Sequence, residues 1–307
     1  MKVCFMGSMN FAVPILEGLD KKYEVVMVVT QPDKPVGRKR ILTGTAVKVK
    51  ALELGLPVFQ PANIKNDNQP ILDLDLDYII VAAYGQMIPE IVLSHARKRA
   101  INVHASLLPK YRGGSPMHRA IQYGDADTGI SVMYMAMKMD AGDILSQKSI
   151  PILADDNVGT IESKLGKIGN ELLLETLNNI EQIVPVKQDT NLVTFARNIK
   201  PEEERISFQK SAIDINNHVR GFYPWPLTFC TIENNKIKLF DVSYIDEDIS
   251  TKPGEIVKID KLGVYVQTVK GLIVLKEVQL QGKKRMNISD FMNGLGKTLL
   301  KLGNRFD

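Results

Sequence analysis

The run of six apolar residues from Tyr78 to Ala83 constrains the fold of this chain more than any other feature. Six successive apolar side chains leave neither face of an extended strand polar, so such a strand belongs in a sheet that is covered on both faces. Short apolar runs of this kind alternate with segments of helical spacing in the first half of the chain. The strand-like segments are Lys2–Met6, Glu24–Thr30 and Ala100–Val103, and the helical ones are Phe11–Leu19 and Ala46–Leu54. This alternation predicts an α/β fold with a parallel sheet between helices.

The rest of the chain shows two further patterns. Ile130–Met135 and Ile144–Ile150 are typical of a strand pair, and Gly159–Leu177 has the periodicity of a helix that would close the first domain. One short helix and five short β-rich segments then predict a small β-barrel. They are Ala212–Arg220 for the helix, and Leu227–Ile232, Lys236–Tyr244, Gly254–Ile259, Val264–Thr268 and Leu272–Gln279 for the strands. We predict a domain of residues 1–183, a linker of residues 184–203 and a second domain of residues 204–307.

Composition narrows the class of protein. No apolar run is long enough to span a bilayer and the N-terminus lacks the features of a signal peptide, so we expect a cytoplasmic protein. Cys4 and Cys230 both lie in apolar surroundings, which favours two buried thiols in a reducing compartment over a lone disulfide. The formal net charge is +4, and residues 184–307 carry the whole excess. This excess is compatible with a polyanionic partner but is too small to establish one.

The sharpest local motif is the segment from Asn102 to Gly114, which begins where a predicted strand ends. Asn102 and His104 are two residues apart, so on an extended chain they share one face. In open α/β sheets, ligands bind beyond the carboxyl ends of the strands. An amide N–H and an imidazole at such a place suit a site that stabilises an oxyanion and transfers a proton. The alternative is that Asn102 caps a turn and His104 packs in the core.

A second motif, Asp140-Ala141-Gly142-Asp143, lies between the two strands of the predicted pair. One carboxylate there could orient an imidazole, although Asp and Gly are also common in ordinary turns. We expect no metal site, because the sequence lacks Cys-x-x-Cys, His-Glu-x-x-His and other close ligand clusters. The segment Gly7–Phe11 follows the first strand without the Gly-x-Gly-x-x-Gly pattern, so a dinucleotide site is not expected either.

Taken in order, several motifs resemble those of the formyltransferases that use 10-formyltetrahydrofolate. Asn-x-His-x-Ser-Leu-Leu-Pro is similar to the signature of that family, and the other motifs match it in order and spacing. Within the family, the resemblance is strongest to the members that act on methionyl-tRNA, and it runs nearly end to end. The matching segments are Gln31–Arg38, Gly55–Pro61, Asn102–Pro109, Arg112–Pro116, Asp140–Asp143, Leu275–Gln279 and Gly282–Met286.

The resemblance implies a Rossmann-like formyltransferase domain followed by an OB-like β-barrel. It also implies transfer of the formyl group of 10-formyltetrahydrofolate to the α-amino group of initiator methionyl-tRNA. We expect the protein to be a monomer. The implied catalytic residues are Asn102, His104 and Asp140. The implied folate-binding residues are Ser106, Leu107, Leu108 and Pro109, together with Tyr84, Gly85, Gln86 and Met87. Without the resemblance, the segment from Tyr84 would be interpreted as an ordinary strand-to-helix loop.

The resemblance assigns tRNA binding to Arg38, Lys39 and Arg40, in a basic loop that would otherwise be interpreted as a solvated surface loop. Lys283, Lys284 and Arg285 could contact tRNA as well, or simply be surface charge. The chain departs from the family at Arg119, where Trp is usual, and in the loop Ile41–Thr45, which lacks the usual proline-serine-proline.

Two other hypotheses remain open at this point. One is a formyltransferase or hydrolase with the same folate chemistry and another acceptor, such as a nucleotide-sugar amine or water. The other is a tRNA-binding module whose enzyme domain has decayed, which the presence of Asn102, His104 and Asp140 disfavours.

Overall fold

The computed structural model describes residues 1–37, 39–247 and 249–307. Its strands are β1 (Lys2–Gly7), β2 (Glu24–Val29), β3 (Lys34–Val36), β4 (Ile41–Thr43), β5 (Val58–Phe59), β6 (Tyr78–Ala82), β7 (Arg99–His104), β8 (Asp127–Tyr134), β9 (Ile144–Pro151), β10 (Thr228–Ile232), β11 (Asn235–Ile245), β12 (Ile256–Ile259), β13 (Val264–Gln267), β14 (Leu272–Leu280) and β15 (Met286–Asn287). Its α-helices are α1 (Val13–Lys22), α2 (Ala46–Glu53), α3 (Gln69–Leu72), α4 (Glu90–Leu93), α5 (Pro116–Gln122), α6 (Val158–Asn179), α7 (Ala212–Gly221), α8 (Ile288–Met292) and α9 (Gly296–Leu299).

Apolar runs in the first half of the chain form one sheet. Within the described residues its strand order is β5-β2-β1-β6-β7-β8-β9. The five strands from β5 to β7 pair in parallel, whereas β8 and β9 continue the sheet in antiparallel pairing. Every residue of β6 is buried, as its unbroken apolar sequence predicts. The predicted parallel α/β sheet is confirmed, and β8 and β9 add an antiparallel edge to it.

The helices of this region begin where local chemistry favours a helix start. Thr45 caps α2, because its hydroxyl accepts a hydrogen bond from the backbone N–H of Lys48 at 3.0 Å. Proline occupies the first turn of α1, where its missing N–H costs nothing. On one side of the sheet, residues of β1 and β6 pack with Tyr84 and Ile88 in a shared core.

A second sheet forms in the later part of the chain. In the residues that the structure describes, its order is β10-β11-β14-β13-β12, with β15 added to β14, and all of its pairs are antiparallel. Inward side chains of these strands form a core with α7 and α8. Ser211 caps α7 by accepting from the N–H of Asp214. The sequence predicts a small C-terminal β-barrel, and the structure confirms a C-terminal β domain, whose strands pair in antiparallel.

The chain divides into two units that are not simple halves of the sequence. The first unit contains 1–116, 127–151 and 161–197, and the second contains 117–126, 152–160 and 198–307. Residues 184–197 therefore group with the first unit, where Val186 and Ile144 exchange two backbone hydrogen bonds of 2.8 Å. Among the described residues, no helix has the length and apolar character needed to cross a membrane.

Candidate active site

Asn102 and His104 lie in the last three residues of β7 and face the same carboxylate. The Asn102 amide nitrogen donates to Oδ1 of Asp140 at 3.3 Å, and Nδ1 of His104 lies 3.7 Å from the same oxygen. Asn102 and His104 are 8% and 7% exposed, so little water competes with these contacts. The structure thus brings together the three residues that the family resemblance implies to be catalytic.

Asp140 lies on the loop between β8 and β9, in a backbone conformation that few residues adopt. Its φ is +49°, in the left-handed region, which costs a residue with a Cβ roughly 1–2 kcal/mol. Its other carboxylate oxygen, Oδ2, accepts from the backbone N–H of Gly113 at 2.8 Å. A Cβ on Gly113 would lie 2.6 Å from the carbonyl oxygen of Ala196, so only glycine fits this approach. The carboxylate is therefore held between the β7 side chains and the loop that follows them.

The imidazole of His104 is oriented through both of its nitrogens. Nε2 lies 3.0 Å from the carbonyl oxygen of Tyr111. A carbonyl can only accept, so Nε2 carries a proton and donates it to this bond. Nδ1, which faces Asp140, is then the nitrogen that can gain or release a proton.

The loop from Ser106 to Pro109 is fixed by two side chains that the sequence analysis did not identify. Ser131 of β8 donates through Oγ to the Ser106 carbonyl at 2.7 Å and accepts from the Leu108 N–H at 2.9 Å. Gln147 of β9 donates to the Leu108 carbonyl at 2.9 Å. The Ser106 hydroxyl donates to the Lys110 carbonyl and the Leu108 side chain is buried, whereas Leu107 and Pro109 are half-buried. Leu107 and Pro109 are thus the side chains of this loop that retain exposure.

Of the three side chains in the segment from Tyr84 to Met87, only that of Met87 is largely exposed. Tyr84 is buried, and its carbonyl accepts from the Ser8 hydroxyl at 2.9 Å. The Gln86 side chain accepts from the Ile64 N–H at 2.8 Å and donates to the Pro61 carbonyl at 3.2 Å. Gly85 has a left-handed φ of +89°, and Met87 is 62% exposed.

Arg112, which lies in the motif after β7, is joined in the site by Gln188, which no motif indicated. Arg112 is 3% exposed, and its Nε and Nη2 both donate to Oε1 of Gln188, at 3.0 and 2.7 Å. The Gln188 amide nitrogen donates to the carbonyl oxygens of Asp140 and Gly142, at 2.9 and 2.8 Å. Gln188 comes from a polar segment without periodicity, so nothing in the local sequence could have identified it.

Comparison with known proteins identifies the family. Residues 1–177 match the family model described as formyl transferase, and residues 198–296 match that of the formyl transferase C-terminal domain. The chain belongs to the formyl transferase family. The methionyl-tRNA formyltransferase of Listeria innocua is 46% identical over 305 residues, which cover 98% of this chain and 97% of that protein. The one from Staphylococcus aureus strain JH1 is 43% identical over 304 residues, 97% of this chain and 98% of that one.

The fold of this formyltransferase is also found in solved structures. WlaRD, a sugar 3N-formyl transferase solved in the presence of dTDP and 5-N-formyl-THF, superposes with a TM-score of 0.68 over 92% of this chain and 99% of that chain. The two sequences are 20% identical, so this likeness concerns the fold alone.

The basic loop of the formyltransferase forms a hairpin of β3 and β4. Lys39 and Arg40 are exposed at its turn, and Arg38 lies outside the described residues. Asp33, directly before β3, pairs with Lys48 of α2 at 2.6 Å and accepts from the Gln60 amide at 2.8 Å. The Gln60 hydrogen bond and the Lys48 ammonium hold the pKa of the Asp33 carboxyl below its usual value. The hairpin is therefore attached to α2 and to the segment after β5.

In the second unit, the three cations considered for contacts with tRNA differ in whether they are already paired with a carboxylate. The Arg285 guanidinium is paired with both carboxylate oxygens of Glu277, with Nε 2.6 Å from Oε1, and it stacks on Phe240 at 4.4 Å. Lys283 and Lys284 are exposed. Of the three cations considered from the sequence, the two lysines are thus better placed to meet a phosphate.

Arg119, which stands where the family usually has Trp, is buried with a matching charge. It is 5% exposed, and its Nη1 lies 2.7 Å from Oε1 of Glu203. Nη2 donates to the other oxygen of Glu203 at 3.1 Å, and Nη1 also donates to Gln122 at 2.7 Å. The Arg119 hydrogen bond lowers the pKa of the Glu203 carboxyl. Arg119 is therefore held by an ion pair and a hydrogen bond inside the second unit.

The first unit of the formyltransferase also contains a cavity of about 290 Å³ at the start of β7. Glu90, Leu93 and Ser94 line one side of it, and Met135 and Met137 line another. Within the described part of the chain, no three His, Cys, Asp or Glu side chains are grouped so that they could hold a metal ion.

Proposed function

We propose that this formyltransferase transfers the formyl group of 10-formyltetrahydrofolate to the α-amino group of initiator methionyl-tRNA, with Asn102, His104 and Asp140 as catalytic residues. The observation that carries the catalytic assignment is the convergence of Asn102 and His104 on Oδ1 of Asp140, at 3.3 and 3.7 Å. The acceptor is supported by the 46% identity with a methionyl-tRNA formyltransferase over 98% of the chain.

The chemistry requires stabilisation of one charge and movement of one proton. When the amine attacks the formyl carbon, the formyl oxygen becomes negative and the amine nitrogen becomes positive. The Asn102 amide carries two N–H groups, of which one donates to Asp140, so the second is a donor for that oxygen. A single oxyanion donor contributes roughly 2.7–4 kcal/mol in other enzymes.

The proton transfer is assigned to His104. The amine nitrogen must lose a proton, and N10 of the folate must gain one when its bond to the formyl carbon breaks. Nδ1 of His104 accepts and returns this proton, while the Tyr111 carbonyl fixes the ring. Asp140 stabilises the imidazolium that exists between the two transfers.

Folate binding is assigned to the two predicted segments and the neighbouring cavity. The cavity of about 290 Å³ is close to the lower limit of ordinary ligand sites, which suits one fused ring system. Its lining begins at Glu90, directly after the segment from Tyr84 to Pro89, and includes Met135 and Met137 on the loop that leads to Asp140. The half-buried Leu107 and Pro109 would contact the rest of the carrier. WlaRD, which shares this fold, was solved in the presence of 5-N-formyl-THF, and this supports a folate site in the fold.

The tRNA contacts are assigned to exposed cations in both units. Lys39 and Arg40 lie at the turn of the hairpin, with Arg38 between the same strands in the sequence, and Lys283 and Lys284 are exposed in the second unit. Contacts with phosphates release counterions, so the affinity for tRNA should fall steeply with salt. The free thiols of Cys4 and Cys230 support a reducing, cytoplasmic location.

Single substitutions test the catalytic assignment. His104→Ala and Asp140→Ala should each lower kcat for methionyl-tRNA formylation by about 100-fold or more, because each removes proton transfer or its support. The matched controls are His95→Gln and Asp73→Ala, which lie outside the proposed site and should stay near the wild-type rate. A folded His104→Ala or Asp140→Ala enzyme with a normal kcat would overturn the catalytic assignment. If the wild-type protein binds tRNA but shows no turnover of the folate, the hypothesis of a decayed enzyme domain is favoured.

A further inference from the structure

Gln188 joins the two loops on which the proposed catalytic residues depend. Its carbonyl oxygen accepts two hydrogen bonds from the buried guanidinium of Arg112, on the loop after β7. Its amide nitrogen donates to the carbonyls of Asp140 and Gly142, on the loop after β8. A single half-buried amide therefore spans the loop that follows His104 and the loop that carries Asp140.

The orientation of this amide is fixed from both ends. Arg112 has only donors, so the Gln188 oxygen must face it and the nitrogen must face the Asp140 loop. Two residues earlier, Val186 exchanges backbone hydrogen bonds of 2.8 Å with Ile144, at the first position of β9. The backbone that carries Gln188 is thus attached to the strand that follows the Asp140 loop.

The Asp140 loop needs such an attachment, because its backbone is held in an unfavourable conformation. Asp140 has a left-handed φ of +49°, and a Cβ on Gly142 would lie 1.8 Å from the Tyr134 carbonyl oxygen. The Gln188 amide has two N–H groups, and this turn presents two carbonyl oxygens to it, those of Asp140 and Gly142. Without them, the loop would lose the bonds that keep the Asp140 carboxylate directed at Asn102 and His104.

We propose that Gln188 is a positioning residue for the formyl transfer and that it acts through Asp140. The inference rests on the proposed catalytic role of Asp140. Gln188 touches none of the reacting atoms, and its effect is to hold the carboxylate where it supports the imidazole of His104. The segment in which it lies, predicted as part of a linker, then supports catalysis indirectly, by holding Asp140.

Gln188→Glu keeps the hydrogen bonds with Arg112 and removes those with the Asp140 loop. The carboxylate of the variant still accepts from Arg112, but it can no longer donate to the Asp140 and Gly142 carbonyls. We expect kcat to fall by about 100-fold, the effect of a displacement of about 1 Å in an active site, while the KM values for folate and tRNA stay within about threefold. Gln182→Glu, at an exposed position six residues earlier, introduces the same charge and should leave kcat unchanged.

A double-mutant cycle shows whether the effect passes through Asp140. In an Asp140→Asn background, Gln188→Glu should lower kcat by less than about threefold, because the group that it positions is already impaired. Losses that multiply would overturn the inference. A normal kcat for Gln188→Glu, if Asp140→Ala is inactive, would also overturn the inference about Gln188. A fully active Asp140→Ala enzyme would instead overturn the proposed catalytic role of Asp140.

The imidazole of His104 supplies a readout that does not depend on turnover. Its NMR signals can be assigned by their loss in His104→Ala, since the chain has four histidines. Gln188→Glu should shift these signals, because the Asp140 carboxylate moves relative to Nδ1. Gln182→Glu should leave them unchanged. Unchanged His104 signals in Gln188→Glu would contradict the inference.

Discussion

At the scale of single residues, the hydroxyl of Ser131 holds the loop from Ser106 to Pro109. It is completely buried, donates to the Ser106 carbonyl, and accepts from the Leu108 N–H and from the Gln147 amide, the latter at 2.7 Å. Because water cannot replace these bonds, their loss leaves buried polar groups without partners.

Ser131→Ala should therefore lower both stability and folate affinity. We expect the free energy of unfolding to fall by about 2 kcal/mol, since several buried bonds end on this hydroxyl. The KM for 10-formyltetrahydrofolate should rise, because the loop backbone loses its fixed position. Urea unfolding and steady-state kinetics measure the two effects. Ser149→Ala, which removes only a long 3.3 Å bond to Thr128, is the matched control. Equal behaviour of the two variants would contradict the role of Ser131.

The residues of the site differ in how far the sequence could predict them. Asn102 and His104 lie on one strand, so their spacing alone placed them on one face. Asp140 was indistinguishable from a turn residue until the family resemblance was considered, because its contacts with His104 and Asn102 cross 36 and 38 positions of the sequence. Gln188 and Ser131 have no local signal at all, since their roles come from contacts with distant loops.

At the scale of elements, the hairpin of β3 and β4 depends on Asp33 for its attachment. Asp33→Ala removes the ion pair with Lys48 and the acceptor of the Gln60 amide. If the hairpin binds tRNA, the KM for methionyl-tRNA should rise roughly fivefold while the KM for folate stays constant. Glu53→Ala is the control, because it breaks an exposed ion pair on the same helix. An unchanged KM for tRNA would contradict a positioning role for Asp33.

Helix α7 carries a histidine that makes the stability of the second unit depend on pH. His218 is 4% exposed, and its Nε2 lies 2.8 Å from the Glu203 carbonyl, which can only accept. Burial, with a smaller effect of the Lys210 charge, lowers the pKa of His218 to about 4. The unfolded chain binds the proton at a pKa of about 6.5, so the native state loses stability as the pH falls from about 6.5 to about 4.

The variant His218→Gln tests this linkage. Between about pH 7 and about pH 4.5, the wild type should lose up to about 3 kcal/mol more of its unfolding free energy than the variant, since the variant has no proton to gain at this position. Urea unfolding at both pH values gives the loss of unfolding free energy for each protein. Because the same carboxylates titrate in both proteins, their contribution cancels when the two losses are subtracted. Equal losses in wild type and variant would show that His218 is not the titrating group.

The long elements were predictable and the short ones were not. Apolar runs such as those of β1, β6 and β14 identify strands, and the long periodic segment identifies α6. Elements such as β5, α3 and α4 have only two to four residues, which is too short for a period to show. The antiparallel direction of β8 and β9 was also not available from the sequence, because periodicity does not record direction.

At the scale of the whole molecule, the change from alternating strands and helices to short β-rich segments predicted two folding units, but it could not show how the chain alternates between them. Residues 117–126 and 152–160 group with the later part of the chain, because their contacts are distant in sequence. The boundaries at residues 183 and 203 stay predictions. The first unit contains the proposed catalytic residues, and both units have exposed cations.

The measurement that tests the central claim most directly is formyl transfer by the purified protein from 10-formyltetrahydrofolate to a set of acceptors. The set contains methionyl-initiator tRNA, a nucleotide-sugar amine and no acceptor other than water. We predict rapid formylation of the methionyl-tRNA, with a rate that falls as salt increases, and at most slow reaction with the other two. Preferential formylation of the sugar amine, or release of formate at the same rate without any acceptor, would contradict this account.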